Sequence, residues 1–422
     1  MNWTSCSVGD LVESGEAEVK TGPFGTQLRA SDYVKSGTPV INVRNIGFGS
    51  IRKQKLEFIA EDTVKRLSSH LLRPRDIVFG RKGAVERHVF IQEEQNNWFQ
   101  GSDCLRLRFL NERRALAKYL SYSFLTHEHQ AWMMQQCSHG ATMASLNQDI
   151  IKRISLSLPP LSVQYRITSV LSAYDNLIEN NKRRIEILEE MARRVYEEWF
   201  VHFRLPEHEE SGFDLTPIGD IAEIIRGRSY RSSELAEEGG RPFVNLKCVN
   251  RDGGFRRDGL KGYEGKYKEE QLVRRGDIVM AVTDMTQDRR IVARAALVPE
   301  LGELKGIISM DLVKIEPKGE IPSSYLYAAL RWSDFSENVK NHATGANVLH
   351  LHPDLIKAYQ LRLPHLDLCK RFAKLVKPMF DLCETLEKKS NNLRIQRDLL
   401  LPKLISGEID VSNISMPDEK EF

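Results

Sequence analysis

The sequence predicts an α+β fold: two α/β globular segments in tandem, separated by two long helices that pair as an antiparallel coiled coil about a pseudo-two-fold axis. Three observations predict it. "DIIKRISLSLPPL" from Asp149 returns as "DLIKAYQLRLPHL" from Asp354, 354 − 149 = 205 residues later in a chain of 422, which marks an internal duplication. Shorter fragments repeat around it in the same order. After each Leu-Pro, apolar residues recur at alternating steps of four and three, the period of two helices wound together.

The first globular segment is assigned to residues 1–158 and the second to 206–363. Val8-Gly9-Asp10-Leu11 resembles Ile218-Gly219-Asp220-Ile221, Pro39-Val40-Ile41-Asn42 resembles Pro242-Phe243-Val244-Asn245, and Asp76-Ile77-Val78 resembles Asp277-Ile278-Val279. Gly140-Ala141 likewise corresponds to Gly345-Ala346. Each of these fragments is a short β-branched run bounded by Gly, Pro or Asp, which reads as strands and turns. The helices are assigned to 159–205 and 364–410, with a tail at 411–422. The first seam is Ile167, Leu171, Tyr174, Ile178, Asn181, Ile185, Leu188, Ala192, Val195 and Trp199. Its counterpart is Phe372, Val376, Met379, Cys383, Leu386, Ser390, Leu393, Arg397, Leu400 and Leu404. Because the intervening segment must return the chain, antiparallel pairing is expected; Asn181 would fix register and Pro378 would kink the second helix.

Hydrophobic content of 41%, charged content of 28% and mean hydropathy of −0.40 describe a folded globular chain and exclude disordered or fibrous classes. No leader and no apolar run of membrane-spanning length is legible, so a cytoplasmic location is expected. Six scattered cysteines without a CxxC pair signal neither a disulfide framework nor a zinc ribbon. The net charge of +3 is small, and the basic excess sits in residues 1–158, with 21 Lys+Arg against 16 Asp+Glu. Ordinary solvated surface explains such numbers about as well as a nucleic-acid footprint does.

No reaction centre is legible. Gly265-Lys266 lacks the leading glycine and the Ser/Thr of a phosphate-binding loop, and Gly47-Phe48-Gly49 is a turn rather than a dinucleotide fingerprint. "HLHPD" at His350 offers two histidines without a third ligand, so a surface or DNA-adjacent role outweighs a metal. The Asn/Asp-Pro-Pro-aromatic tetrapeptide of amino-methyltransferases is absent.

"KTGPFGTQLRASDY" followed by "GTPVINVRNI", then "LPPLSVQYRI" with "YEEWFVHFRLP", and finally "LLPKLISGEI" resemble, in that order, the specificity subunit of type I restriction-modification enzymes. The second junction, "LPHLDLCKRF", departs from the pattern at His365 and Cys369. The resemblance covers nearly the whole chain. It implies that the two globular segments are target recognition domains reading a bipartite, asymmetric double-stranded DNA target, one domain per half-site. It further implies a non-catalytic subunit whose helices recruit two modification (methyltransferase) subunits, with restriction (endonuclease/translocase) subunits joining that core. No cofactor is then expected in this chain; S-adenosylmethionine, ATP and Mg belong to the partner subunits. Candidate DNA-binding residues are Lys20, Arg44, Arg52, Arg81, Lys82 and Arg87 in the first segment. In the second they are Arg226, Arg228, Tyr230, Arg231, Lys247, Gln287, Arg289 and Arg290. For any one of them, a phosphate contact is the commoner role. The alternatives are a self-contained DNA methyltransferase with fused recognition domains and a coiled-coil scaffold without DNA. If the helices act as a ruler, four helix-forming residues after Phe203 add about 6 Å and lengthen the spacer between half-sites by about one or two base pairs.

Overall fold

A computed structural model describes residues 3–137, 144–204, 213–236 and 239–414. The chain divides into two compact units, 1–179 with 391–422, and 180–390. Each long helix therefore contributes one part to each unit.

In the first unit, strands Ala17–Thr21, Cys104–Phe109, Ile77–Gly80, His88–Phe90 and Phe48–Gly49 lie side by side in that order. A second sheet orders Tyr33–Val34, Glu57–Ile59, Thr38–Ile41 and Phe99–Gln100. The second unit repeats the plan with Ala222–Arg226, Leu312–Pro317, Ile278–Ala281 and Ala295–Leu297 in one sheet. In both units one pair in the other sheet is parallel, Val40 opposite Phe99 and Phe243 opposite Ile307. The duplication read from the fragments is thus a duplication of topology.

The repeated stretch is a short helix followed by a strand: Gln148–Lys152 with Ser155–Leu158, and Pro353–Ala358 with Gln360–Leu363. Asn147 caps the first helix by accepting from the Ile150 amide at 2.8 Å, and Pro353 opens the second from its first turn. Each strand pairs antiparallel with the strand that opens its own domain, Thr4–Ser7 or Asp214–Pro217, so the motif closes the domain. Its lysine also explains a repeated glycine. A Cβ on Gly9 would lie 3.1 Å from the Lys152 carbonyl oxygen, and one on Gly219 would lie 3.2 Å from the Lys357 Cβ. A side chain at either position would press on the closing helix, so glycine suits this close approach.

The long helices span Leu161–Tyr196, extended by a π-type turn over Glu197–Val201, and Leu366–Ser406. Every seam residue on both is buried or half-buried, whereas Lys182, Arg183 and Arg184 are exposed. Within the first unit Asp175 meets Arg397 at 2.6 Å, and Ile167 and Leu171 share a core with Leu401 and Leu404. Within the second, the Cys383 thiol lies 3.9 Å from the Ile185 carbonyl, and the Phe372 ring sits 6.1 Å from Trp199. Numbers rise along one helix as they fall along the other, the antiparallel pairing that was expected. Pro378 lies inside the second helix without breaking it.

At the first junction Gln164, fully buried, bonds the Leu116 amide and the Arg114 and Pro159 carbonyls at 2.8 to 2.9 Å. Cys369 takes its place in the second copy and offers its thiol to the Pro364 carbonyl at 3.7 Å. The helix still starts at Leu366 because burial of Leu368, Cys369 and Phe372 holds it.

Also in the second unit, Glu387 stands near Glu189 and Glu384, and burial pushes its carboxyl up to about 7 despite Arg257. Its folded value exceeds the ordinary 4.5, so the folded state holds the proton more tightly and stability falls as pH rises between those two values. Glu387→Gln is expected to stabilise the chain by roughly 1 kcal/mol at pH 8 and hardly at all at pH 5, after discounting for partial solvent access. Urea unfolding at the two pH values checks this.

Candidate nucleic-acid interface

In the first unit, strand Ile77–Gly80 delivers Arg81 and Lys82 to one end of the sheet. Their backbone is fixed: the Arg81 amide donates to Asp103 O and the Arg81 carbonyl accepts from Leu146 N, both at 2.8 Å. Lys82 pairs with Ser145 and extends its ammonium to Asp103 at 3.3 Å, while Arg81 carries no side-chain partner among the described residues. Arg87 meets Glu86 at 3.1 Å and lies over the Phe48 ring at 5.3 Å. Arg44 pairs with the exposed Glu57, and Arg52 closes the hairpin that starts at Asn45, whose side chain donates to the Arg52 carbonyl at 3.0 Å. Arg81, Lys82 and Arg87 are thus brought together beside the hairpin's tip; the Lys82–Asp103 pair is exposed and easily exchanged, and the Arg87–Glu86 pair is half-buried.

Lys20 is used differently. It lies in the sheet, donates to Ser69 O at 3.2 Å, and is held below the ordinary lysine range by burial and by neighbouring Arg106. The interior of this sheet also holds the Asp76–Arg108 pair, with the carboxylate and guanidinium joined at 2.6 and 2.7 Å.

The second unit repeats the same loop exit with other residues. The Val282 carbonyl accepts from Leu351 N at 2.8 Å, and Thr283–Asp284 pairs with Leu349–His350. Asp284 closes the loop beyond it by accepting from the amide and hydroxyl of Thr286 at 2.8 Å and from Ile291 N at 3.1 Å. This holds Gln287, Arg289 and Arg290 on one short arch. Gln287 donates to Ala346 O at 2.9 Å, and Arg226 meets His352 at 2.9 Å, so both lean on the segment 344–352. Between them a groove of about 270 Å³ is lined by Arg226, Thr283, Thr344, His350 and His352 with Met310. The two histidines of "HLHPD" therefore sit beside the basic arch, and among the described residues no cluster of three or more His, Cys, Asp or Glu is placed to hold a metal.

Arg228, Tyr230 and Arg231 are partly structural. The Arg228 backbone bonds Ile308 and Met310, its Nε is buried without a partner among the described residues, and the Tyr230 ring packs on Phe243 at 4.7 Å. Arg231 opens a 3-10 turn, its amide donating to Glu234 at 2.7 Å. Lys247 is exposed beside the Asn245 cap. Gly47-Phe48-Gly49 is the turn its glycines indicate, and it holds Phe48, a residue absent from the candidates read in the sequence, exposed at the tip beside Arg87. Cationic and amide side chains on rigid loop exits can hold phosphates and meet base edges. No described helix is long and apolar enough to cross a membrane.

A family model described as the type I restriction modification DNA specificity domain matches residues 1–190 and 210–394. The MjaIX specificity subunit of Methanocaldococcus jannaschii is 25% identical over 319 residues, 71% of this chain and 70% of that protein. The putative MjaX specificity subunit of the same organism is 25% identical over 397 residues, 89% of this chain and 88% of its own. Among solved structures, the type I restriction-modification S subunit from M. genitalium matches with a TM-score of 0.60 and 17% identity, covering 96% of both chains, which is a likeness of fold.

Proposed function

The chain belongs to the family of type I restriction modification DNA specificity domains, and from that premise we propose that each unit reads one half of a bipartite DNA target. The observation that carries this is a shared frame with unlike loops. Leu146 N to Arg81 O and Leu351 N to Val282 O are the same bond in the two copies, yet the side chains they position are Arg81 and Lys82 in one and Gln287, Arg289 and Arg290 in the other. Identical frames bearing different donors suit two different half-sites.

The chain acts as the non-catalytic subunit of a DNA adenine methyltransferase and endonuclease in the cytoplasm. Its helices hold two modification subunits, and restriction subunits join through them. S-adenosylmethionine is bound by the modification subunits, and ATP and Mg by the restriction subunits. Purified alone, the chain is expected to give no S-adenosylmethionine isotherm. Stoichiometric binding of that cofactor would instead identify a self-contained methyltransferase, and the absence of a double footprint on DNA would identify a scaffold.

The division of labour is tested by charge removal. Arg81→Ala with Lys82→Ala is expected to weaken one half-site, and Arg289→Ala with Arg290→Ala the other, by about 1 to 3 kcal/mol for each lost base contact. Methylome mapping of cells carrying each variant reads the result; both pairs acting on the same half-site would sink the assignment.

A further inference from the structure

Resting on the DNA-reading role above, we propose that Phe48 is an aromatic wedge that parts a base step in the half-site read by the first unit. Its ring is 45% exposed at the tip of a turn built to present it. Ile46 pairs with Ile51, and the Gly47 amide donates to Ser50 O at 3.0 Å, so Phe48 and Gly49 occupy the two central turn positions. Both flanking glycines are required. A Cβ on Gly47 would fall 2.6 Å from the Ser50 carbonyl oxygen, and Gly49 has φ +71°, which L side chains rarely adopt.

The turn is anchored to the sheet. Phe48 and Gly49 pair with His88 and Val89, and a Cβ on Gly49 would meet Leu125 at 3.3 Å. The Arg87 guanidinium lies over the ring at 5.3 Å, and the Arg87 carbonyl accepts from Gly80 N at 3.4 Å, next to Arg81 and Lys82. A rigid apolar tip is therefore flanked by Arg87, with Arg81 and Lys82 following the strand hydrogen-bonded to it, cations that suit the phosphates beside a base step. Apolar side chains so placed unstack base pairs and kink the duplex toward the opposite groove. The surrounding charge favours DNA over an apolar protein surface as the occupant.

The second unit supplies an internal contrast. Its matching hairpin pairs Val249 with Phe255, bonds Gly254 N to Ala295 O at 2.9 Å, and carries Arg251 and Asp252 at its tip. Phe255 in that hairpin packs against the core, and a tip without an aromatic would leave its half-site stacked, so the wedge belongs to one half of the target only.

The test uses the full chain assembled with its modification subunits on a duplex bearing the mapped target, with 2-aminopurine placed in turn at each step of each half-site. Fluorescence is expected to rise on binding at one step of the first half-site and nowhere in the second. Phe48→Ala should abolish the rise and weaken binding roughly ten- to a hundredfold, the value of one base–aromatic stack. Phe48→Trp should retain both. An Arg251→Ala variant should leave the fluorescence unchanged. Thermal unfolding of Phe48→Ala should match the wild type, because the residue is exposed. A clear footprint with no step-specific rise, or a Phe48→Ala protein that binds DNA normally yet fails to assemble with the modification subunits, overturns the wedge while leaving the reading role intact. No footprint at all would instead overturn the reading role.

Discussion

Arg108→Met is expected to destabilise the first unit by about 3 to 5 kcal/mol, because it strands a buried carboxylate. Asp76 is 1% exposed, and Arg108 holds it through Nε and Nη2 while also donating to Leu71 O at 2.9 Å. The other Asp76 bond, from the Arg73 amide at 2.8 Å, shapes the turn but carries no charge, and the remaining nearby cation, Arg106, is hydrogen-bonded to Glu18 instead. The second copy provides the control. Asp277 accepts from the Arg274 amide in the same way, at 2.9 Å, but its cations are Lys314 at 3.7 Å, shared with Glu316, and the exposed Arg274 at 4.0 Å, and its carboxylate side chain is 18% exposed. Lys314→Met should therefore cost about 1 kcal/mol or less. Adding Asp76→Asn to Arg108→Met should recover part of the loss, since the stranded charge is the cause. Urea unfolding of the three variants decides this. Because Asp76 opens the strand that delivers Arg81 and Lys82, the same substitution should weaken the first half-site before the second. Equal costs at Arg108 and Lys314 would refute the argument.

The duplication was legible because it is written in strands and turns, where Gly, Pro and Asp occupy positions that backbone geometry dictates. Pro39–Asn42 and Asp76–Val78 run into strands as expected, with their partners in the second unit, but Val8–Leu11 and Ile218–Ile221 form short helices instead, Ser7 capping the first by accepting from the Asp10 amide. The seam was legible for a related reason: its period is a property of helix geometry, and Ile167, Leu171, Phe372 and Val376 are all buried. Chemistry at the sheet ends was harder to read. Lys20 and Arg81 look alike in sequence, and only the fold turns one toward Ser69 and leaves the other at a loop exit. Arg108 is indistinguishable from a surface cation until Asp76 is placed beneath it. The Gly140-Ala141 fragment lies outside the described residues.

Phe203, at φ +53°, packs on Phe213 at 4.8 Å, while Tyr196 and Phe200 share one core with Ile218, Tyr325 and Phe372. The second globular segment is held by packing against both helices within its own unit, so four residues added after Phe203 lengthen a connection without displacing the domain. The expected spacer is unchanged, and mapped methylation sites in cells carrying the insertion check it.

Phe372→Ala is expected to cost about 3 to 5 kcal/mol, as for a fully enclosed aromatic truncated in a close-packed core. The side chain is 0% exposed. Its ring lies 5.2 Å from Phe200, 6.0 Å from Tyr196, 6.1 Å from Trp199 and 6.2 Å from Tyr325, joining both long helices to the domain helix Ser323–Trp332. No neighbour can close the void alone, because each of the four rings is itself held by others, as Phe200 is by Tyr325 at 5.3 Å. The loss falls entirely within residues 180–390, whereas the first unit is built around a separate cluster containing Ile167, Leu171 and Leu404. Thermal unfolding should therefore split into two transitions, with only the lower one moved. On DNA, warming the variant between those transitions should erase protection of the half-site read by Arg289 and Arg290 and preserve protection of the half-site read by Arg81 and Lys82. If both protections vanish together in one transition, the two units fold as a single cooperative body and the separation of reading into independent halves does not extend to stability.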